Sequence, residues 1–451
     1  MSFSLFEIIN LMKPFTNIYL AVLVFIVAFC PLLVSCSPNY LYSTINAEAF
    51  AIESPLNAPT APEQQLTPET IFSSKNIEVI GNIIIISPSE LTNYIVSNLH
   101  DYIFIINADA IISFNNVFHT RFASLIICPS STLYLNINTN IFCGQDEYDL
   151  KEYNLPTDCS VFVNNLFIFG NGSINNTMFP CIKSTNLTTN CNSLSLYSNT
   201  TAIDAGSASL FGTLNFYSQI GIKSNNITIN SRNLTFECKD VGILCDNLII
   251  ENGTLNINAP EGIFCKAFIK KSGYLTLFCN VGIICQSIKL IAGYLYASCK
   301  STCIKICHEF VQDGGIALLV SEHENTSAID AETADFIVVG GILLTNSTYA
   351  CAPKQNAWFF AVDKNDLFTC KSSTSQLAYI PQVSGSLMIA STAQYNYFST
   401  NGKLIDFKNN FYGLLINATV YTYSSKSINN AQPNYGAIIY NERVSKNGQI
   451  L

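Results

Sequence analysis

Cys299, Cys303, Cys307 and His308 have the residue types and the Cys-x3-Cys spacing of a zinc site. No second Cys/His pair stands nearby, and inward strand positions would part the members, so no metal is expected there. Asp330 and Asp335 are close enough in sequence to be the paired carboxylates of a glycoside hydrolase. Two neighbouring acids are far more often surface charges. His100, His119, His308 and His323 have no matching acid and nucleophile motif around them. The other cysteines fall on apolar positions without a basic activator, which argues against a thiolate nucleophile. No catalytic residue is assigned.

The elements that would position these groups are set by a repeat of 20 or 21 residues. Gly221, Gly242, Gly262 and Gly282 are followed by Ile222, Ile243, Ile263 and Ile283. Thirteen residues after each Gly stand Leu234, Leu255, Leu275 and Leu295. Two further on come Phe236, Ile257, Leu277 and Ala297, and two more give Cys238, Ala259, Cys279 and Cys299. A spacing of two marks a strand with one buried face. A second strand is marked by Ile227, Leu248, Phe268 and Ile288, and a third column by Ser224, Cys245, Cys265 and Cys285. Short strands at constant period, with Gly253, Gly273 and Gly293 at a corner, predict stacked coils. Lys270 breaks an otherwise apolar column of Ile229, Ile250 and Leu290. Either that strand shifts its facing or Lys270 lies at a corner.

The same register sends the alternate residues outward. They read Tyr274, Thr276 and Phe278 in one coil and Tyr294, Tyr296 and Ser298 in the next. Tyr274, Tyr294, Tyr296 and Phe278 are therefore the candidate ligand-binding residues, with Tyr274 and Tyr294 expected to stack directly. An exposed aromatic patch ordinarily marks a contact. The alternative is that residues 351–451 fold back and cover it.

Composition agrees with a large core. Only 12% of the 451 residues are charged and 49% are hydrophobic, which excludes a disordered chain. Net charge is −9 and Arg occurs only at Arg121, Arg232 and Arg443, which argues against a nucleic-acid partner. Of the 17 cysteines, those in the columns are expected to be stacked core thiols rather than disulfides, because adjacent coils offer a poor bridging dihedral. Cys351 and Cys370 lie outside the columns and are the candidate disulfide. The ten Asn-x-Ser/Thr sequons, Asn171, Asn226, Asn252 and Asn417 among them, are about what chance yields in so Asn-rich a chain.

At the N-terminus Ile18 to Val34 is an apolar run without charge. Pro31 and the following Leu33-Val34-Ser35-Cys36 favour a signal, and the tetrapeptide resembles a bacterial lipobox with Cys36 as the lipidation site. Met12-Lys13 opens a compact signal, so Met12 is the expected start. A simple cleaved signal and an uncleaved anchor are the other two readings. Residues 1–36 are thus read as signal and 37–75, rich in Pro, Ala, Thr and Gln, as an extended tether. Residues 76–350 are read as coils, regular from about 200, with an irregular N-terminal cap, and 351–451 as a C-terminal β-rich segment.

The series Ala-Ile-Asp-Ala at 202–205 and 328–331, with Gly-Ile-x-Cys and Gly-x-Leu-x-Ile in the coils between, resembles the carbohydrate-binding parallel β-helix domains of bacterial surface proteins, whose members include cellulose and pectin binders. The resemblance covers about residues 200–350 and rests on structural motifs. It implies an all-β, right-handed parallel β-helix, a polysaccharide partner and cell-surface or secreted localisation, with membrane attachment through the N-terminal lipid anchor or signal segment. It also implies calcium on acidic residues at coil corners, but Asp204, Asp240, Asp246 and Asp330 are scattered. Related β-helix enzymes cleave pectin with clustered Asp, Gly-His-Gly and Arg-x-Lys segments, or with a calcium set and a basic residue. Neither constellation is present. Three functions remain open in this order: a non-catalytic polysaccharide-binding protein, a β-helical adhesin or structural surface protein contacting host protein, and a divergent pectin-active lyase or hydrolase.

Overall fold

The computed structural model describes residues 59–146 and 158–323 and, beyond these, short segments and the backbone of strands as far as Gln449–Ile450. The signal, Cys36 and Cys351 lie outside the described residues, as does the side chain of Cys370.

The described chain is all-β. Its strands stack in parallel as a solenoid of about 11 turns. Thr201–Phe264 is extended over 64 residues. Drawn straight it would be about 210 Å long, but it wraps round the stack instead. Each inward column is a ladder of like residues one coil apart: Leu255 pairs with Leu275, and Leu275 with Leu295. All three are buried, as is Leu234 in the coil before. Phe216 and Phe236 stack inside at 4.3 Å between ring centroids. The apolar interior runs without a break from Leu66 to Leu343.

Regular coiling begins earlier than the glycine spacing suggests. Val161–Asn176 pairs with Ile182–Ser198, and that strand with Thr201–Phe264, at offsets matching the repeat. The antiparallel pair Ile77–Ile80 and Ile83–Ile86 lies at the start of the stack. The tether also ends earlier than its composition suggests. Glu63–Leu66 is a strand paired with Asn93–Val96, and Leu66 and Ile71 are fully buried. Two apolar side chains were enough to draw this polar stretch into the first coil. Beyond 350 the parallel backbone pairing continues: Asp335–Val338 with Asn356–Ala361, Ile342–Ser347 with Leu367–Ser372, and the latter with Gln394–Ser399. These strands extend the stack coil by coil.

Lys270 keeps the register of its column, between Ile250 and Leu290. Its side chain points inward, only 1% exposed, at the end of its strand. The amine donates to the carbonyls of Ser272, Gly273 and Ala292 at 2.8, 2.7 and 3.1 Å. Burial pulls its pKa down to about 7, because no carboxylate compensates the desolvated charge. The corner above is closed to any larger residue. Gly293 has φ +80°, and a Cβ there would collide with the Gly273 carbonyl and the Lys270 amine.

Candidate functional site

The long strand of each coil presents three outward positions, and the stack aligns them into three columns along the solenoid axis. Burial alternates along Tyr274–Cys279, so the register places Tyr274, Thr276 and Phe278 outside. Tyr274 is 46% exposed; Phe278, Tyr294 and Tyr296 are partly buried against one another. Burial raises the pKa of the Tyr294 and Tyr296 hydroxyls.

Tyr274 and Tyr294 are register partners, but their rings are tilted by 49° at 6.2 Å rather than stacked flat. Phe278 meets Tyr296 edge-on, at 5.9 Å and 69°. Phe278 and Tyr296 stand in different columns, so a diagonal contact between coils replaces a straight ladder. Edge-to-face and tilted pairs are favourable arrangements for aromatic rings. The four predicted residues form two aromatic pairs on the same two coils.

Two further ring pairs lie on the same face. Tyr197 and Tyr217 are register partners stacked at 4.7 Å and 7°, 40% and 38% exposed. His119 and Phe142 stack at 4.7 Å and 8°. Phe142 pairs with Asn175, and Asn175 with Tyr197, so both pairs fall in one outward column. The column continues past Phe216–Phe236 to Glu237, then Asn258, Phe278 and Ser298. Extending the Leu214 and Phe216 positions by one residue finds Tyr217 in the sequence; His119 and Phe142 lie in coils too irregular for that.

Polar side chains fill the gaps. Asn258 Nδ2 donates to Glu237 Oε2 at 2.7 Å, Asn256 to Asn233 Oδ1 at 3.4 Å, and Asn215 to Ser195 Oγ at 3.4 Å. Such an amide retains a second N–H and a carbonyl oxygen for a ligand. The charges of these coils cluster elsewhere, as in Lys266–Asp246 and Lys271–Glu251, both 2.8 Å ion pairs between neighbouring coils.

The other chemistry-bearing residues separate. A bulge replaces the single residue between Cys285 and Ser287 by Cys307 and His308. It turns both outward while Cys303 stays buried, and Ile306 takes the place in the thiol column. Among the described residues no group of three His, Cys, Asp or Glu side chains could hold a metal. Asp330 pairs in register with Lys305, and Asp335 with Glu309, on separate strands. The described cysteines other than Cys307 are buried free thiols, and Cys307 is exposed. Burial pushes Cys128 and Cys238 up to about 11 and Cys143, Cys191 and Cys279 up to about 12. Cys245 is raised by its hydrogen bond with Cys265 and then by burial. Thiols held in the protonated form are poor nucleophiles.

No family model, curated protein or solved structure matches this chain.

Proposed function

We propose that this is an exported, surface-attached protein whose solenoid binds polysaccharide without cleaving it. The observation that carries the reading is the cluster of Tyr274, Tyr294, Tyr296 and Phe278 on a regular, outward sheet face. Rigid rings on a stacked backbone present flat apolar surface with little conformational entropy to lose, and the apolar faces of sugar rings suit such a surface. Neighbouring Asn and Thr side chains supply hydrogen bonds to hydroxyls. Export and attachment rest on the apolar run from Ile18 to Val34 and on Cys36.

The test is a pull-down on insoluble cellulose and on pectin, with wild type and with the triple variant Tyr274→Ser, Tyr294→Ser, Tyr296→Ser. Wild type should sediment with at least one polymer, and the folded triple variant should stay in solution. Equal sedimentation of both proteins would remove this face as the site. A reducing-sugar and unsaturated-product assay on the same mixtures should show no cleavage.

A further inference from the structure

We infer that the ligand is an electrically neutral glycan chain lying along the solenoid axis, across the coils, over the His119–Phe142 and Tyr197–Tyr217 pairs and Phe278. The inference rests on the polysaccharide-binding reading above and specifies its ligand.

Direction follows from the columns. His119–Phe142, Tyr197–Tyr217 and Phe278 share one outward column, linked coil by coil through Asn175 and through Glu237 and Asn258. A chain lying along one strand would reach the rings of one coil or its neighbour alone. A chain running across the coils would meet both stacked pairs and Phe278. With a coil rise of about 4.8 Å, Phe142 and Phe278 are about 29 Å apart, which calls for a polymer rather than a mono- or disaccharide.

Charge follows from the same face. On the outward positions of the long strand from Asn171 to Ser298 the one charged residue is Glu237, and it accepts a hydrogen bond from Asn258. Lys266 and Lys271 lie outside the long strand, each paired with a carboxylate. Arg232 and Lys239 border this face at the ends of one coil, and Arg121 stands exposed two residues from His119 at its far end. Between Asn171 and Ser298 a polyanion such as polygalacturonate would lay its carboxylates along a column whose one charged residue is Glu237, which is unfavourable. Hydroxyls of a neutral polymer meet Asn, Ser and Thr instead.

Affinity electrophoresis in native gels tests both parts. The probes are hydroxyethylcellulose, which is neutral, and polygalacturonate, which is anionic. Wild type should be retarded by the first and not by the second. Tyr197→Ser with Tyr217→Ser, far from the Tyr274 cluster, should weaken retardation by hydroxyethylcellulose at least about fivefold in Kd. Single Tyr217→Ala, at a partly exposed ring, should give a smaller loss in the same direction and covers the case in which the double variant does not fold. Unchanged retardation of the folded Tyr197/Tyr217 variants, with loss in the Tyr274/Tyr294/Tyr296 variant, would overturn the extended site and leave the binding reading standing. Equal or stronger retardation by polygalacturonate would overturn the neutral ligand. Failure of every polysaccharide, in the gels and in the pull-down, would sink the binding reading itself.

Discussion

Tyr217 lies flat on Tyr197, ring centroids 4.7 Å apart and planes within 7°, because the two occupy the same position of successive coils. The contact reports the periodicity of the backbone directly. A parallel stack repeats every side-chain vector, so like residues meet face to face unless a neighbour intrudes. Tyr274 and Tyr294 are tilted in a cluster where Tyr296 and Phe278 crowd the same two coils.

The inward ladder should be intolerant of charge. Leu275 is fully buried between Leu255 and Leu295. Leu275→Asp should abolish cooperative folding, because an unpaired carboxylate would enter an apolar core. Leu275→Ala should fold but lose about 2–5 kcal/mol through the cavity it leaves. Chemical denaturation followed by circular dichroism measures both, and an Asp variant with the wild-type transition would refute the register.

Lys270 should make stability depend on pH. Its folded pKa is about 7 against an ordinary 10.5. Between those values the unfolded chain binds the proton and the folded chain does not, so stability rises with pH across that window. Below about pH 7 both states carry the proton and the cost of burying it is at its full value. Lys270→Met removes this term. Tm measured from pH 6 to 8.5 should rise more steeply for wild type than for the variant; parallel curves would mean that the amine is not desolvated.

The buried thiols act in the opposite direction at higher pH. Their folded pKa values are raised, to about 11 for Cys128 and about 12 for Cys279, above the ~8.5 of an unfolded cysteine. The stability they contribute is complete below about pH 8.5 and is lost as pH rises toward the folded values. Tm should fall above that point. In native buffer a thiol reagent should label Cys307 rapidly, while Cys245, Cys265 and Cys285 react only after denaturation. Rapid native labelling of that column would contradict its burial.

Cys36 should carry lipid in the native host. Cys36→Ala should move the protein from the membrane fraction to the soluble one, read by fractionation and immunoblotting. A variant that fractionates like wild type would rule out the lipid anchor.

The period of the coils, the inward ladders and the outward placement of Tyr274, Tyr294, Tyr296 and Phe278 were all readable from residue spacing. Alternation and a constant repeat leave the backbone only one way to bury its apolar face. Three matters were decided by tertiary structure. Glu63–Leu66 has a tether's composition, yet Leu66 and Ile71 join the first coil because a partner strand, Asn93–Val96, stands there to receive them. Lys270 stays inside because a corner turns at the end of its strand and brings three carbonyls within reach of the amine, a coincidence of three-dimensional position that no spacing rule encodes. The alignment of His119, Phe142, Tyr197 and Tyr217 with Phe278 depends on how many residues each irregular coil spends at its corners. Corner lengths shift the sequence without shifting the column, so the shared face emerges only when the strands are paired in space.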